Sequence, residues 1–125
     1  MNILRAVPMI AASVLVVACE SSTAVSDGVL TVSHTVGVLH LRNGSPTPIY
    51  YFVLERETAA LVDWIPLVGP GSTSIPARGE VALLYSTIFG YKAGAKEALV
   101  YWWRAVPDGA GGYRADSVRF LVAQF

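Results

Sequence analysis

The run Ile-Tyr-Tyr-Phe-Val-Leu-Glu-Arg at residues 49–56 decides the fold class, because it is the densest run of β-forming residues in the chain. Side chains alternate between the two faces of a strand. Both alternating sets of this run are apolar or aromatic: Tyr50, Phe52 and Leu54 against Ile49, Tyr51 and Val53. One face can therefore join a core, and the other must meet solvent, a covering loop or a partner.

Similar runs lie on both sides of this stretch and are separated by glycine, proline and asparagine, which favour turns. They cover residues 36–42, 61–68, 80–85, 98–106 and 113–124, and residues 28–33 form a possible first edge strand. The glycine-rich residues 108–112 predict a hairpin between the last two runs. Residues 86–97 break the rhythm and are expected to form a loop with one helical turn.

This rhythm of six to seven short strands predicts an all-β fold, an antiparallel sandwich in which each strand buries one face against a second sheet. The pattern resembles the immunoglobulin-like and fibronectin-like sandwich domains of exported bacterial lipoproteins, on its strand spacing and on the turn Pro76-Ala77-Arg78-Gly79. That resemblance implies an architecture and no particular activity, because such folds carry many unrelated functions.

The N-terminus has the organisation of an export signal. One positive charge, Arg5, precedes an apolar run at residues 6–18, which is too short to span a bilayer. The run ends in Val16-Val17-Ala18-Cys19, and a polar stretch begins at Glu20.

These residues resemble the bacterial lipobox, with leucine one position earlier than is usual, at Leu15. The resemblance implies cleavage after Ala18, a diacylglycerol thioether on Cys19 and attachment of the mature protein to a membrane of the cell envelope. Glu20 in place of aspartate after the cysteine implies sorting to the outer membrane in Gram-negative cells. An ordinary signal peptide with a free Cys19, or a cytosolic protein with an apolar first strand, are the alternatives.

We therefore divide the chain into a signal peptide at residues 1–18, a lipidated cysteine with a flexible tether at residues 19–33, and a β-sandwich domain at residues 34–125. The whole chain has nine basic and nine acidic residues. Removal of residues 1–18 takes away Arg5 alone among these, which leaves eight against nine and a net charge of −1. This balance gives no electrostatic reason to expect nucleic acid as a partner.

The residues that usually carry chemistry are sparse, so we expect no enzyme, no cofactor and no metal site. Cys19 is the only cysteine, and the only histidines, His34 and His40, would lie ~20 Å apart if both belonged to one extended strand. The charged run at residues 55–57 predicts a solvated strand end. A barrel that ends in Phe125 is disfavoured by the short mature chain.

The aromatic residues offer the best candidate for a binding surface. Tyr51 and Trp102 could form an exposed strip that stacks on sugar rings or peptide side chains. The alternative is that both residues belong to the core.

The sequence is compatible with three functions. The first is a non-enzymatic binding or protein-interaction module, held at the envelope by the lipid on Cys19, with an envelope protein or polysaccharide as partner. The second is a carbohydrate-binding accessory lipoprotein that uses exposed tyrosine and tryptophan. The third is an envelope enzyme or inhibitor.

Overall fold

The computed structural model describes residues 24–125, and these form a sandwich of two four-stranded antiparallel sheets. Sheet A has the order β1-β2-β3-β6, and sheet B has the order β10-β7-β4-β5. The strands of sheet A are β1 (Val25–Ser26), β2 (Leu30–Thr35), β3 (Val38–Asn43) and β6 (Glu80–Leu84). Those of sheet B are β4 (Ile49–Glu55), β5 (Ser74–Ile75), β7 (Glu97–Trp103) and β10 (Arg119–Gln124).

Three short elements complete the described part of the chain. Helix α1 (Arg56–Ala59) follows β4, a 3₁₀ turn (Tyr85–Thr87) follows β6, and a small hairpin is built from β8 (Ala105–Pro107) and β9 (Tyr113–Ala115). The prediction of an antiparallel all-β sandwich is confirmed. Within residues 24–125, six strands have five or more residues, and the remaining four are shorter.

The core lies between the two sheets and is built from the alternate residues of each long strand. Sheet A contributes Leu30, Val32, Leu39 and Leu41, and sheet B contributes Ile49, Val53, Ala98, Val100, Trp102 and Ala123. Ile75 and Ile88 complete the buried set. The strongest sequence run, at residues 49–56, pairs with β7 over six residues from Tyr50–Trp103 to Glu55–Ala98, so it lies inside sheet B as expected.

The hairpin between the last two runs is also confirmed, but its strands are interrupted. β7 pairs with the whole of β10, from Glu97–Gln124 to Trp102–Arg119, while β8 and β9 form a separate ladder beyond Arg104. The backbone N–H of Asp116 donates to the carbonyl of Arg104 at 2.8 Å, where the first ladder gives way to the second.

The structure places a turn inside the predicted run at residues 36–42. Val36 and Gly37 form a two-residue loop between β2 and β3, and Gly37 has a φ of 74°. Glycine adopts this left-handed conformation without a steric penalty, so Gly37 can turn the chain. The alternating pattern of residues 36–42 predicts a strand there instead. β2 itself begins at Leu30, so Leu30 and Val32, which the domain division placed in the tether, are core residues.

The predicted strand at residues 61–68 is wrong. These residues form no regular secondary structure and belong to none of the sheets. They lie across the outer face of sheet B, where their apolar side chains have the alternation of a strand without its hydrogen-bonded neighbours. Periodicity reports which side chains are covered and not whether the backbone is paired.

Candidate functional site

The outer face of sheet B, which points away from the core, is apolar over three successive rows. Each row runs from β4 across β7, and two of the rows continue to β10. The rows are Tyr50–Trp103, Phe52–Tyr101–Phe120 and Leu54–Leu99–Val122. A polar row of Glu97 and Gln124 closes one end, where Arg56 forms an ion pair with Glu97 at 3.1 Å. Antiparallel sheets commonly carry polar residues on the face opposite the core, so this face is unusual for a sheet open to water.

The segment at residues 61–68 covers part of this face and centres on Trp64. The Trp64 ring lies 5.1 Å from Phe52, 4.7 Å from Tyr101 and 5.6 Å from Trp103, measured between ring centroids. The indole N–H of Trp103 donates to the carbonyl of Leu67 at 2.9 Å. These contacts bury Trp103 and hold the segment against the sheet.

The same segment directs a second set of side chains outward. Leu61, Ile65 and Leu67 are 85%, 72% and 57% exposed. Phe120, on β10 of sheet B, is 58% exposed. Asp63 is the one charged residue of the segment. We call these four exposed side chains, together with Trp64, the outer apolar surface. Isolated exposed apolar residues are ordinary, but a group on one face indicates contact with an apolar partner.

The outer face of sheet A is polar by comparison. Most of its outward residues are polar, among them Thr31, Ser33, His40, Arg42 and Glu80, and the imidazole of His40 lies 3.2 Å from the carboxylate of Glu80. Leu84, at one end of this face, is 57% exposed. The two faces therefore differ in chemistry although both sheets have four strands. This asymmetry locates the candidate interaction surface on sheet B.

A groove of about 280 Å³ opens beside the outer apolar surface, between the covering segment and the edge of β4. Phe52, Trp64 and Trp103 form its apolar wall, and Ser72 and Thr73 lie on the polar side. The hydroxyl of Thr73 donates to the backbone carbonyl of Tyr51 at 2.8 Å. The groove is thus an extension of the aromatic cluster toward the β5 edge.

The predicted strip of Tyr51 and Trp102 is wrong as an exposed surface. Trp102 is 1% exposed and belongs to the core, and Tyr51 is half-buried against that core. Burial raises the pKa of the Tyr51 hydroxyl. The aromatic face that points away from the core is instead built from the other alternating set, in which Trp64 covers Phe52 and Tyr101 and Phe120 is exposed. Because both sets are aromatic, alternation reveals two faces without saying which one meets the other sheet.

Glu55 differs from the predicted solvated strand end, because its side chain is buried and caps helix α1. Its carboxylate accepts hydrogen bonds from the backbone N–H groups of Glu57 and Thr58 at 2.9 and 2.8 Å, and from the Thr58 hydroxyl. These backbone donors lower the pKa of Glu55, against an opposing effect of desolvation. The cap fixes where the chain leaves sheet B and begins to cross its outer face.

Gly90 fits closely against this capped turn. Its φ is 79°, and a Cβ added there would lie 2.2 Å from the hydroxyl oxygen and 2.5 Å from the Cβ of Thr58. Gly94 has a similar φ of 87° but nothing within 4 Å of an added Cβ. Comparing alanine substitutions at Gly90 and Gly94 therefore distinguishes the free-energy cost of the left-handed backbone from that of a steric clash.

We expect Gly90→Ala to lower the free energy of unfolding by about 3 kcal/mol, since left-handed backbone and overpacking each cost about 1–2 kcal/mol. Gly94→Ala should cost about 1 kcal/mol, from backbone conformation alone. Urea denaturation followed by circular dichroism measures both values. Equal losses in the two variants would contradict the contact between Gly90 and Thr58.

The two histidines lie on neighbouring strands, not on one extended strand. His34 pairs with Leu39 and His40 pairs with Ser33, so the two rings belong to opposite faces of sheet A. His40 contacts the Thr35 hydroxyl at 2.9 Å and Glu80. Within residues 24–125, no group of three or more His, Cys, Asp or Glu residues is placed to hold a metal ion.

Ala18 and Cys19, the predicted cleavage and lipidation residues, lie outside the described residues. In the part of the chain that is described, no helix is long and apolar enough to cross a membrane. Comparisons with protein-family models, curated proteins and solved structures found no match to this chain.

Proposed function

We propose that this protein is an exported lipoprotein of the cell envelope, anchored through Cys19, and that its sandwich is a non-enzymatic interaction module. The observation that carries the interaction role is the outer apolar surface of sheet B, which gathers four large exposed apolar side chains on one side of the domain. Exposed surfaces of this kind mark contacts with proteins or membranes. The anchor is supported by the charge, apolar run, small residue and cysteine of residues 5–19.

The carbohydrate-binding alternative loses its original basis, because Trp102 is buried. The rings of the outer cluster are tilted with respect to one another, with interplanar angles of 34°, 47° and 60° around Trp64. A sugar-binding platform needs rings that a pyranose can stack on in one plane. The tilted cluster therefore favours an irregular apolar partner over a polysaccharide.

The anchor is tested by replacing Cys19 with alanine in the full chain and expressing it in a bacterial host with an intact lipoprotein pathway. We expect the parent protein to partition into detergent and to carry the mass of a lipid, and C19A to move to the soluble fraction without that mass. Two acyl chains anchor a protein stably, and their loss removes the anchor.

The neighbouring substitution Ser22→Ala is the matched control, since it changes the polar stretch without removing the thiol. It should remain membrane-bound and lipidated. An unmodified parent protein, or a C19A protein that stays in the membrane unchanged, would refute the anchor.

A further inference from the structure

We infer that the partner of the outer apolar surface is the lipid bilayer that holds Cys19, an inference that rests on the anchor proposed above. The sandwich would then lie with sheet B against the membrane surface, and Leu61, Ile65, Leu67 and Phe120 would enter the interfacial region. The lipid anchor and the protein surface would bind the same membrane.

The free tether between Cys19 and the sandwich is short. β1 begins at Val25 and pairs with β2, so the sandwich starts far earlier than residue 34. Five Cα–Cα steps separate Cys19 from Ala24, and at no more than ~3.6 Å each they span at most ~18 Å. A free tether that extended to residue 33 would reach about 50 Å. The described fold therefore keeps the domain near the headgroups.

β1, where the described chain begins, lies next to sheet B. β1 contacts β10, the strand that carries Phe120. The chain thus enters the sandwich beside the edge where the outer apolar surface begins. Because β1 is an edge strand of sheet A and β10 an edge strand of sheet B, the described chain begins at an edge that the two sheets share, next to the strand that carries Phe120.

The side chains of the outer apolar surface suit the interfacial region of a bilayer. Exposed aliphatic side chains with a tryptophan at their base match the bilayer interface, where tryptophan is enriched and apolar side chains enter the acyl boundary. The outer face of sheet A carries one large exposed aliphatic side chain, Leu84, among polar residues such as Thr31, Ser33 and Arg42. The two faces of the sandwich would therefore differ strongly in their attraction to lipid.

The tether also favours the bilayer over a second copy of this chain. A short link converts the second contact into an intramolecular one, at an effective concentration of about millimolar. The bilayer is within reach of every anchored molecule, whereas contact with a second copy depends on expression level. A weak apolar surface is therefore engaged by the membrane first.

The experiment uses the full-length lipidated chain with a single introduced cysteine, because lipidation leaves Cys19 without a free thiol. Ile65→Cys places an environment-sensitive fluorophore on the outer apolar surface. Ala82→Cys is the matched control, since Ala82 is exposed on β6 and points outward from sheet A. Both labelled proteins are reconstituted in vesicles of phosphatidylethanolamine and phosphatidylglycerol, with and without a lipid that carries a quencher.

We expect blue-shifted emission at position 65 and quenching by the lipid-borne quencher about threefold stronger than at position 82. Equal, weak quenching at both positions, in a protein whose mass shows lipid on Cys19, would overturn the inference while the proposed anchor stands. A mass without lipid would refute the anchor and this inference with it. If the fluorophore at position 65 were shielded in detergent, in a particle with the mass of two chains, the partner of the surface would be a second copy of this chain and the inference of a bilayer would be wrong.

Discussion

Replacing Asn43 with aspartate is expected to lower the free energy of unfolding by about 4 kcal/mol, the largest loss that we expect from a single polar substitution in this domain. Asn43 is completely buried at the end of β3. Its amide N–H groups face three backbone carbonyls, those of Thr47 at 2.8 Å, Ile75 at 3.2 Å and Pro76 at 3.1 Å. Its carbonyl accepts from the backbone N–H and the hydroxyl of Ser45.

This side chain joins the two sheets at one end of the sandwich. Residues 44–48 carry the chain from sheet A to sheet B, and Ile75 belongs to β5 of sheet B. An aspartate would direct a carboxylate oxygen at three carbonyl oxygens and leave those acceptors without a donor. Removing one member of a buried network leaves its partners desolvated and unpaired, which costs more than the bond itself contributes.

The loss in N43D should also depend on pH, with a sign that the geometry fixes. Burial among carbonyls favours the protonated acid, so the folded-state pKa of the new carboxyl rises above its unfolded value. The penalty is therefore greatest above the folded pKa and shrinks as pH falls toward the unfolded pKa of about 3.9. Urea denaturation of both proteins at pH 7 and pH 4.5 measures the difference.

Gln124→Glu is the control for N43D, since it makes the same amide-to-acid change at an exposed position in β10. It should change the free energy of unfolding by less than about 1 kcal/mol, because exposed charges interact weakly. An N43D penalty as small as that of Q124E, or one that grew as the pH fell, would contradict the role of Asn43 in the network.

The second large effect is expected at Trp102, where Trp102→Ala should cost about 4 kcal/mol. The indole fills the core from the central strand β7, and its N–H donates to the Asp27 carboxylate at 2.8 Å. The guanidinium carbons of Arg104 and Arg119 lie 5.5 and 5.1 Å from the ring centroid. The substitution therefore leaves a large cavity and frees the turn between β1 and β2.

Asp27 is held in place for this bond by its own turn. Its carboxylate accepts from the backbone N–H groups of Val29 and Leu30 at 3.0 and 2.9 Å. Partial burial raises the pKa of Asp27, but these donors and the Trp102 indole lower it by more, so the net shift is downward. The carboxylate is accordingly charged at neutral pH, which strengthens the bond to the indole.

Trp64→Ala is the matched comparison for Trp102→Ala, because Trp64 lies on the outer face and contacts only one side of sheet B. We expect a loss of about 1–2 kcal/mol, from its aromatic contacts and partial burial. Far-ultraviolet circular dichroism is the appropriate probe, since both substitutions remove a fluorophore. A Trp64→Ala loss equal to that of Trp102→Ala would show that the covering segment belongs to the core.

Several features of the fold were predictable because they depend on neighbours in sequence. The run at residues 49–56 predicts a strand because its β-formers alternate, and the glycine-rich residues 109–112 predict the hairpin that joins the last two strands. The turn at Pro76-Ala77-Arg78-Gly79 precedes β6 as expected, with the N–H of Gly79 donating to the carbonyl of Pro76. Each of these depends on local backbone preference.

Other features depended on contacts that no local pattern records. Residues 61–68 have the alternation of a strand but pair with no strand, and Glu55 has the pattern of a solvated strand end but is buried. His34 and His40 lie on neighbouring strands with their rings on opposite faces of sheet A, because Gly37 turns the chain between them. Strand pairing and burial are set by residues distant in sequence, which propensity cannot specify.

The sequence by itself determined that this protein has an all-β domain with aromatic residues on both faces of its central strands. Its residues 5–19 also carry the pattern on which the proposed anchor depends. Only the tertiary structure decided which aromatic face packs against the second sheet, placing Trp102 in the core and leaving Phe120 exposed. The physical reason is that a period of two residues defines two faces of equal hydrophobicity, and only the packing of the second sheet against one of them makes them different.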